Sequence, residues 1–311
     1  MASMKNRNVG IIGVGLMGHG IASNIATKGW PLGYLRHEGN QPTENLDALG
    51  ATGFSDRQEL ARASDVIILC VNGTPQVEAV LYGQGGVLEV IRPGTVIIDC
   101  STAIPSSTEA IAEAIETAGG RFLDAPMTRT PLEAAEGRLN LLIGGDKSLF
   151  EEMSSLLETF SENRFYAGRA GSGHKLKLLH NFVSLGFVTL LGEAAACAQT
   201  GGISPEVFVD VLRKGGGHGA ALERVAPFIL EGDPSRQKFA VSNAQKDLGY
   251  YVKMAGDLHA ADAIASGVLS ALDALVEHGF SQSYLSEAAA GFMKVARQQA
   301  RPLMRVVKAD L

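Results

Sequence analysis

With 311 residues, 46% apolar and 19% charged, the chain is long enough for two domains with proper cores and too apolar to be disordered. Its formal net charge of −6 offers no basic field to nucleic acid or an anionic membrane, so an acidic small substrate would have to be met by a local cation. Cys70, Cys100 and Cys197 lie in apolar runs without C-x-x-C or histidine spacing; buried small hydrophobes in a reducing compartment are expected, and no metal site.

The opening MASMKNRN carries no apolar signal core, which points to a cytoplasmic protein. The apolar run NVGII (8–12) then gives way to GVGLMGHGIASNIATKG, where the apolar spacing turns helical. Gly13, Gly15 and Gly18 fill G-x-G-x-x-G in this strand–turn–helix setting: the first permits a tight turn, the second lets backbone approach a pyrophosphate, the third lets helix pack on strand. With Val14, Leu16 and Met17 between them, they are the candidate phosphate cradle, completed by the unpaired N–H groups of the helix.

A second strand, PLGYLR, ends at Arg36 and His37. NAD-binding units place an acid there for the ribose hydroxyls, whereas an arginine suits a 2′-phosphate. No Asp or Glu holds that end, Glu38 being the nearest, so NADP(H) is favoured over NAD(H); an arginine merely solvated at a strand end is the alternative.

Strands are then expected at 65–71, 94–102 and 121–127, with helices from about Gln76 and Ser106, and further strands at 139–143 and 163–166 around a helix at 147–160. Such alternation predicts a Rossmann-type, doubly wound parallel sheet with ligands off the carboxyl ends of its strands. Those ends are Val71–Asn72, Ser101–Thr102 and the loop Asp124–Pro131.

From Gly168 a glycine-rich turn feeds a long apolar helix, expected to be buried between domains because His180, Asn181 and Glu193 argue against a membrane span. Lys177, His180, Asn181 and Ser184 fall at i, i+3, i+4 and i+7, one polar stripe on a helix. Lys177 is the candidate proton donor, unless it only reaches solvent, and His180 and Ser184 are candidates for substrate contact. After Gly201 the pattern is helical throughout, opening with Ser204 as N-cap and Pro205 at the first helical position. KGGGHGA (214–220) is either a lid or a plain connection, and alanine-rich helices follow around 242–256, 260–278 and 284–299. The division expected is 1–168 as the nucleotide domain and 169–311 as an all-α domain. The apolar surplus of that second domain predicts a homodimer or homotetramer.

Taken together, IGVGLMGHGIASNI (12–25), DAPMTRTPLEAAEGRL (124–139), GSGHKLKLLHN (171–181) and KDLG (246–249) resemble the β-hydroxyacid dehydrogenase family. That family includes 3-hydroxyisobutyrate dehydrogenases, tartronate semialdehyde reductases and sulfolactaldehyde reductases. The resemblance implies Lys177 as catalytic lysine with Asn181 as its amide, and Thr102 near the nicotinamide. It further implies Val71, Asn72 and Gln76 in the cofactor loop, and Lys246 closing over the cofactor. Most members carry V-S-G-G where this chain has Met127-Thr128-Arg129-Thr130, which looks like the sulfolactaldehyde reductase branch. Two features depart from that branch: His180 precedes Asn181 where it has paired asparagines, and the family's acid is missing from GFSQSYLSE (279–287). Ser101, Thr102, Thr128, Arg129 and Thr130 are thus the substrate candidates, Arg129 gripping an acid group unless it pairs with Glu133 or Glu136. The expected activity is hydride transfer between NADP(H) and a short β-hydroxyacid or semialdehyde. The alternatives are a non-catalytic relative and an imine reductase of the same plan.

Overall fold

The computed structural model describes the backbone of residues 6–307 and side chains through residue 298. Contacts divide the chain into two units, Met1–Lys177 and Leu178–Leu311. The expected boundary, 168/169, falls before the long helix, whereas the contacts divide inside it. The helix's first residues belong to the first unit because Gly171 and His174 donate their backbone N–H groups to the Asp124 carboxylate, each at 2.8 Å.

In the first unit, β1 (Val9–Ile12), α1 (Leu16–Thr27), β2 (Leu32–Leu35), α2 (Glu44–Ala48), β3 (Thr52–Phe54), α3 (Arg57–Ala63), β4 (Val66–Leu69) and α4 (Thr74–Tyr82) come first. They are followed by β5 (Val96–Asp99), α5 (Pro105–Thr117), β6 (Arg121–Asp124), β7 (Met127–Thr128), α6 (Pro131–Ala135), β8 (Leu139–Gly145), α7 (Lys147–Leu157) and β9 (Ser161–Gly168). The sheet runs β3-β2-β1-β4-β5-β6-β8-β7, with β9 on β8. Alternate residues of each central strand enter opposite cores: Ile11, Ile68 and Ile98 lie in one, Ile12, Ile67 and Ile97 in the other. Both faces are therefore covered, as a doubly wound sheet requires.

The sheet is not wholly parallel, since β8 pairs antiparallel with β6 and β7. A parallel neighbour needs a crossover of a dozen or so residues. β7 and the short α6 lie between β6 and β8 in the chain, whereas α7 supplies such a crossover between β8 and its parallel neighbour β9.

The long helix α8 (Ser172–Thr200) crosses into the second unit. There α9 (Pro205–Lys214), α10 (Ala220–Glu231), α11 (Val241–Asp257), α12 (Ala263–Leu275) and α13 (Ala288–Val307) follow. Ser204 caps α9 as expected, accepting from the Val207 N–H. The glycine loop joins α9 to α10, and Arg213 forks onto Glu223 across it at 2.8 and 2.9 Å. Leu185, Val188 and Leu191 of α8 form the core with Leu222, Val225, Leu248 and Leu272.

Two expectations fail here. The helix α8 is buried along one face only: Leu179, Val183 and Leu190 are 46%, 69% and 59% exposed. The helix and Ala263–Phe280 are also long and apolar enough, by length and composition, to cross a membrane. Among the cysteines, burial pushes the Cys70 thiol up to about 12 and raises that of Cys100, but Cys197 is exposed. An apolar run does not say which of its faces the chain itself covers.

Candidate active site

The glycine turn is built as the three glycine positions require. Gly13 has φ +99°, and a Cβ there would run into the Cys70 carbonyl oxygen; one at Gly18 would strike the Gly13 carbonyl oxygen. At Gly15 the space is open, the nearest atom being the Gly39 oxygen at 4.0 Å. The first turn of α1 has neither a capping side chain nor an acid, so its N–H groups and positive dipole end are left for phosphate. Val14, Leu16 and Met17 line this turn, with Leu16 65% exposed. A nicotinamide dinucleotide fits this donor set: the backbone can approach it at Gly15, and the first turn of α1 carries no acid to oppose it.

Arg36 and His37 are both exposed at the end of β2, the guanidinium 5.4 Å from the Tyr34 ring centroid. Asn40, absent from the expected set, ties this corner to the glycine turn. Its amide donates to the Leu35 carbonyl at 2.9 Å and its oxygen accepts from the Val14 N–H at 3.4 Å. A small polar residue just past the second strand was its only sequence signal.

At the ends of β4 and β5, Asn72 and Gln76 are exposed while Val71 and Thr102 are half-buried. Ser101, expected to touch substrate, is only 3% exposed and its groups are engaged within the chain. Its N–H donates to Asp99 at 2.9 Å, its hydroxyl oxygen accepts from the Val71 N–H at 3.1 Å, and its carbonyl lies 3.1 Å from His174 Nε2. Ser101 shapes the site from behind. The Asp99 carboxyl beneath it is held above the usual carboxylate range by burial, an effect His174 partly opposes.

The loop after β6 brings together the third group. Lys177, half-buried, donates from Nζ to the Met127 carbonyl at 2.7 Å, so its ammonium lies on the substrate-loop backbone rather than in open solvent. Thr128 is 8% exposed and accepts from the Asn140 amide at 3.0 Å. Thr130 departs from its expected role: it is the N-cap of α6, in a capping box with Glu133, and the same hydroxyl holds the Glu133 carboxyl below its ordinary range. Arg129 has φ +85°, and its guanidinium bonds Glu162 and the Arg138 carbonyl rather than Glu133 or Glu136. That hydrogen bond holds the Glu162 carboxyl below its ordinary range.

In the second unit, Asn181 is buried at 4% exposure, its amide donating to Asp247 at 2.7 Å and its oxygen 3.0 Å from His180 Nδ1. Lys246 lies 3.2 Å from the same Asp247 and 5.5 Å from the Tyr250 ring centroid. Asp247 is thus the second functional residue the sequence reading missed, although it stands inside the KDLG segment. Ser184 is half-buried one turn along α8, and α8 runs unbroken from Lys177 through Ser184. No group of His, Cys, Asp and Glu able to hold a metal occurs among the described residues.

A phosphate cradle, strand ends opening beside it and a helix-borne lysine bonded to the neighbouring loop define a dinucleotide-dependent oxidoreductase. Residues 8–168 match the NAD binding domain of 6-phosphogluconate dehydrogenase, and residues 171–291 the NAD-binding domain of NADP-dependent 3-hydroxyisobutyrate dehydrogenase. The 2-(hydroxymethyl)glutarate dehydrogenase of Eubacterium barkeri is 31% identical, over 79% of this chain and 81% of its own. The human cytokine-like nuclear factor N-PAC is 30% identical over 78% of this chain, which spans only 44% of that protein. Among solved structures, a 3-hydroxyisobutyrate dehydrogenase from Salmonella typhimurium superposes with a TM-score of 0.79 at 26% identity, covering 92% of this chain and 99% of that one. The chain belongs to the β-hydroxyacid dehydrogenase family, and its class is that of NAD(P)-dependent CH–OH dehydrogenases.

Proposed function

We propose that the chain moves a hydride between NADP(H) and the carbonyl or hydroxyl carbon of a short β-hydroxyacid or semialdehyde, tartronate semialdehyde and sulfolactaldehyde being the acids to try first. The single observation that carries this reading is the Lys177 ammonium, seated on the Met127 carbonyl of the substrate loop. When bound, the nicotinamide supplies the hydride. The glycine turn and the first turn of α1 hold the pyrophosphate, with Val71, Asn72, Gln76 and Lys246 along the rest of the cofactor. Lys177 gives a proton to the carbonyl oxygen in reduction and takes it back in oxidation, assisted by Asn181. Thr128 and Arg129 meet the acid group, Arg129 through its planar fork of donors, while Thr102 faces the reacting carbon; His180 and Ser184 complete the substrate contacts. The deciding experiment is NADPH oxidation with a panel of charged and uncharged semialdehydes. NADPH binding without turnover of any of them would reject the reading in favour of a non-catalytic or imine-reducing relative.

Preference for NADP(H) follows from the exposed Arg36 at the end of β2 and the lack of an acid on that strand end. Arg36→Asp is expected to raise the KM for NADPH and lower that for NADH. Equal kcat/KM for the two cofactors in the unaltered protein would refute the preference.

The exposed Leu179, Val183 and Leu190 share one side of α8, the first two a turn apart and the third two turns further on, and present apolar surface there. A second copy covering this row gives the proposed homodimer or homotetramer. Light scattering at micromolar concentration should report one of these for the unaltered chain, and a smaller species for Val183→Glu; a wild-type monomer would contradict it.

A further inference from the structure

We infer that His174 is a positioning residue whose imidazole, by holding the Ser101 carbonyl inward, aims the Thr102 backbone N–H outward as a donor to a carbonyl-type oxygen of the bound cofactor or substrate. The inference rests on the proposed reading of the strand ends as the reaction centre.

The imidazole is fully buried, at 0% exposure. Nε2 lies 3.1 Å from the Ser101 carbonyl oxygen, and because a carbonyl only accepts, Nε2 must carry a hydrogen. On the other side Nδ1 lies 2.9 Å from the Thr108 hydroxyl of α5, which is also 3.1 Å from the Ile104 carbonyl. Asp99 and Asp124 flank the ring at 3.9 and 3.8 Å. The backbone N–H of the same histidine donates to Asp124 at 2.8 Å, so one residue ties the start of α8 to the ends of β5 and β6 and to α5. Three residues further along α8 is Lys177.

What this fixes follows from the peptide unit. No cis peptide bond occurs among the described residues, so the Ser101–Thr102 unit is trans and planar, with its C=O and N–H pointing in opposite directions. The Ser101 N–H and hydroxyl are already held by Asp99 and Val71. The remaining freedom, rotation of the following peptide plane, is the one His174 removes. With the carbonyl turned inward to the imidazole, the Thr102 N–H faces the other way, and among the described residues no acceptor in the chain takes it. A donor oriented before the ligand arrives costs no reorganisation when it is used.

The test uses the full chain with 15N-labelled threonine and two variants. His174→Leu keeps much of the ring's volume without its nitrogens; His174→Gln restores one donor able to reach the Ser101 carbonyl. In the wild type the Thr102 amide resonance is expected to shift on adding a ligand. A shift with NADP+ alone assigns the acceptor to the cofactor's carboxamide, and one that appears only when the β-hydroxyacid is added as well assigns it to the substrate. His174→Leu should bind NADP+ with near wild-type affinity, lose the Thr102 shift and lose about 10- to 100-fold in kcat, the cost of a misplaced reacting group. His174→Gln should recover the shift and most of kcat. A Thr102 amide silent to both ligands in the wild type, or an unchanged shift in His174→Leu, would overturn the inference. So would a folded His174→Gln that behaves as His174→Leu does, since packing alone would then explain the site. Should His174→Leu fail to fold, the wild type and His174→Gln still decide. Because the amide shift needs no turnover, a wild type that reduces no semialdehyde would reject the proposed function and leave this reading decidable.

Discussion

Lys177→Ala is expected to bind NADPH as the wild type does while losing about 10²- to 10⁴-fold in kcat, the usual worth of general acid catalysis. The separation of the two effects follows from where the groups lie. In the proposed reading the phosphates depend on the glycine turn and the first turn of α1, in which Lys177 has no part. The ammonium is instead held by the Met127 carbonyl at 2.7 Å, on the loop that also carries Thr128 and Arg129. Lys177→Arg separates proton donation from mere positive charge. A guanidinium keeps the charge but stays protonated at any working pH, so it cannot serve as the acid. Both variants should therefore be slow, with fluorescence titration of NADPH showing little change. A Lys177→Ala enzyme within severalfold of wild-type kcat would return this lysine to the role of a solvated side chain.

The sequence carried the periodic parts of this molecule and missed the ones that owe their form to distant neighbours. The central strands β1, β4 and β5 are short, mostly apolar runs rich in Val and Ile and too brief for helices, which leaves little ambiguity. By contrast β3 is three residues at the sheet edge with Gly53 at its centre, and α2 is a five-residue helix; neither spans enough of a period to be read. The antiparallel direction of β8 is likewise absent from its apolar pattern, which reads the same for either direction. Within the site, the glycine motif was legible because the turn fixes its residue type and order. Ser101 and Thr130 were read as substrate contacts because they are polar and stand on the right loops. Only the folded chain shows that Ser101 is spent on Asp99, Val71 and His174, and Thr130 on capping α6. Asp247 was missed for a related reason: its partner Asn181 is 66 residues away in sequence.

Arg129→Gly is expected to raise KM for an acid-bearing semialdehyde about 30-fold or more, without loss of stability. The backbone at this position has φ +85°, the left-handed region where a side chain costs about 1–2 kcal/mol and glycine nothing. That accounts for the glycine of the common substrate loop and makes the arginine an expensive exception. Its ion pair in the structure, with Glu162, is with a carboxylate 45% exposed, and pairs of that kind add little to stability. The strain is therefore not offset by the partner the chain itself supplies, and a return in binding is the natural reason for keeping it. An anionic substrate group that replaces the Glu162 carboxylate would receive the same fork of donors. Removing the guanidinium then costs about 2 kcal/mol or more for the charged substrate, the loss seen when one partner of a desolvated charge pair is deleted. Relief of the backbone strain is countered by the greater freedom of glycine in the unfolded chain, so Tm should hold or rise slightly. Arg129→Lys should fall between the two, keeping charge without the bidentate fork but inheriting the same strained backbone. Steady-state KM values for a charged semialdehyde and an uncharged aldehyde, with Tm for each variant, check all of this. Equal loss on both substrates, or a lowered Tm in Arg129→Gly, would mean that the arginine maintains the loop's shape, and the acid group would have to be sought on other residues.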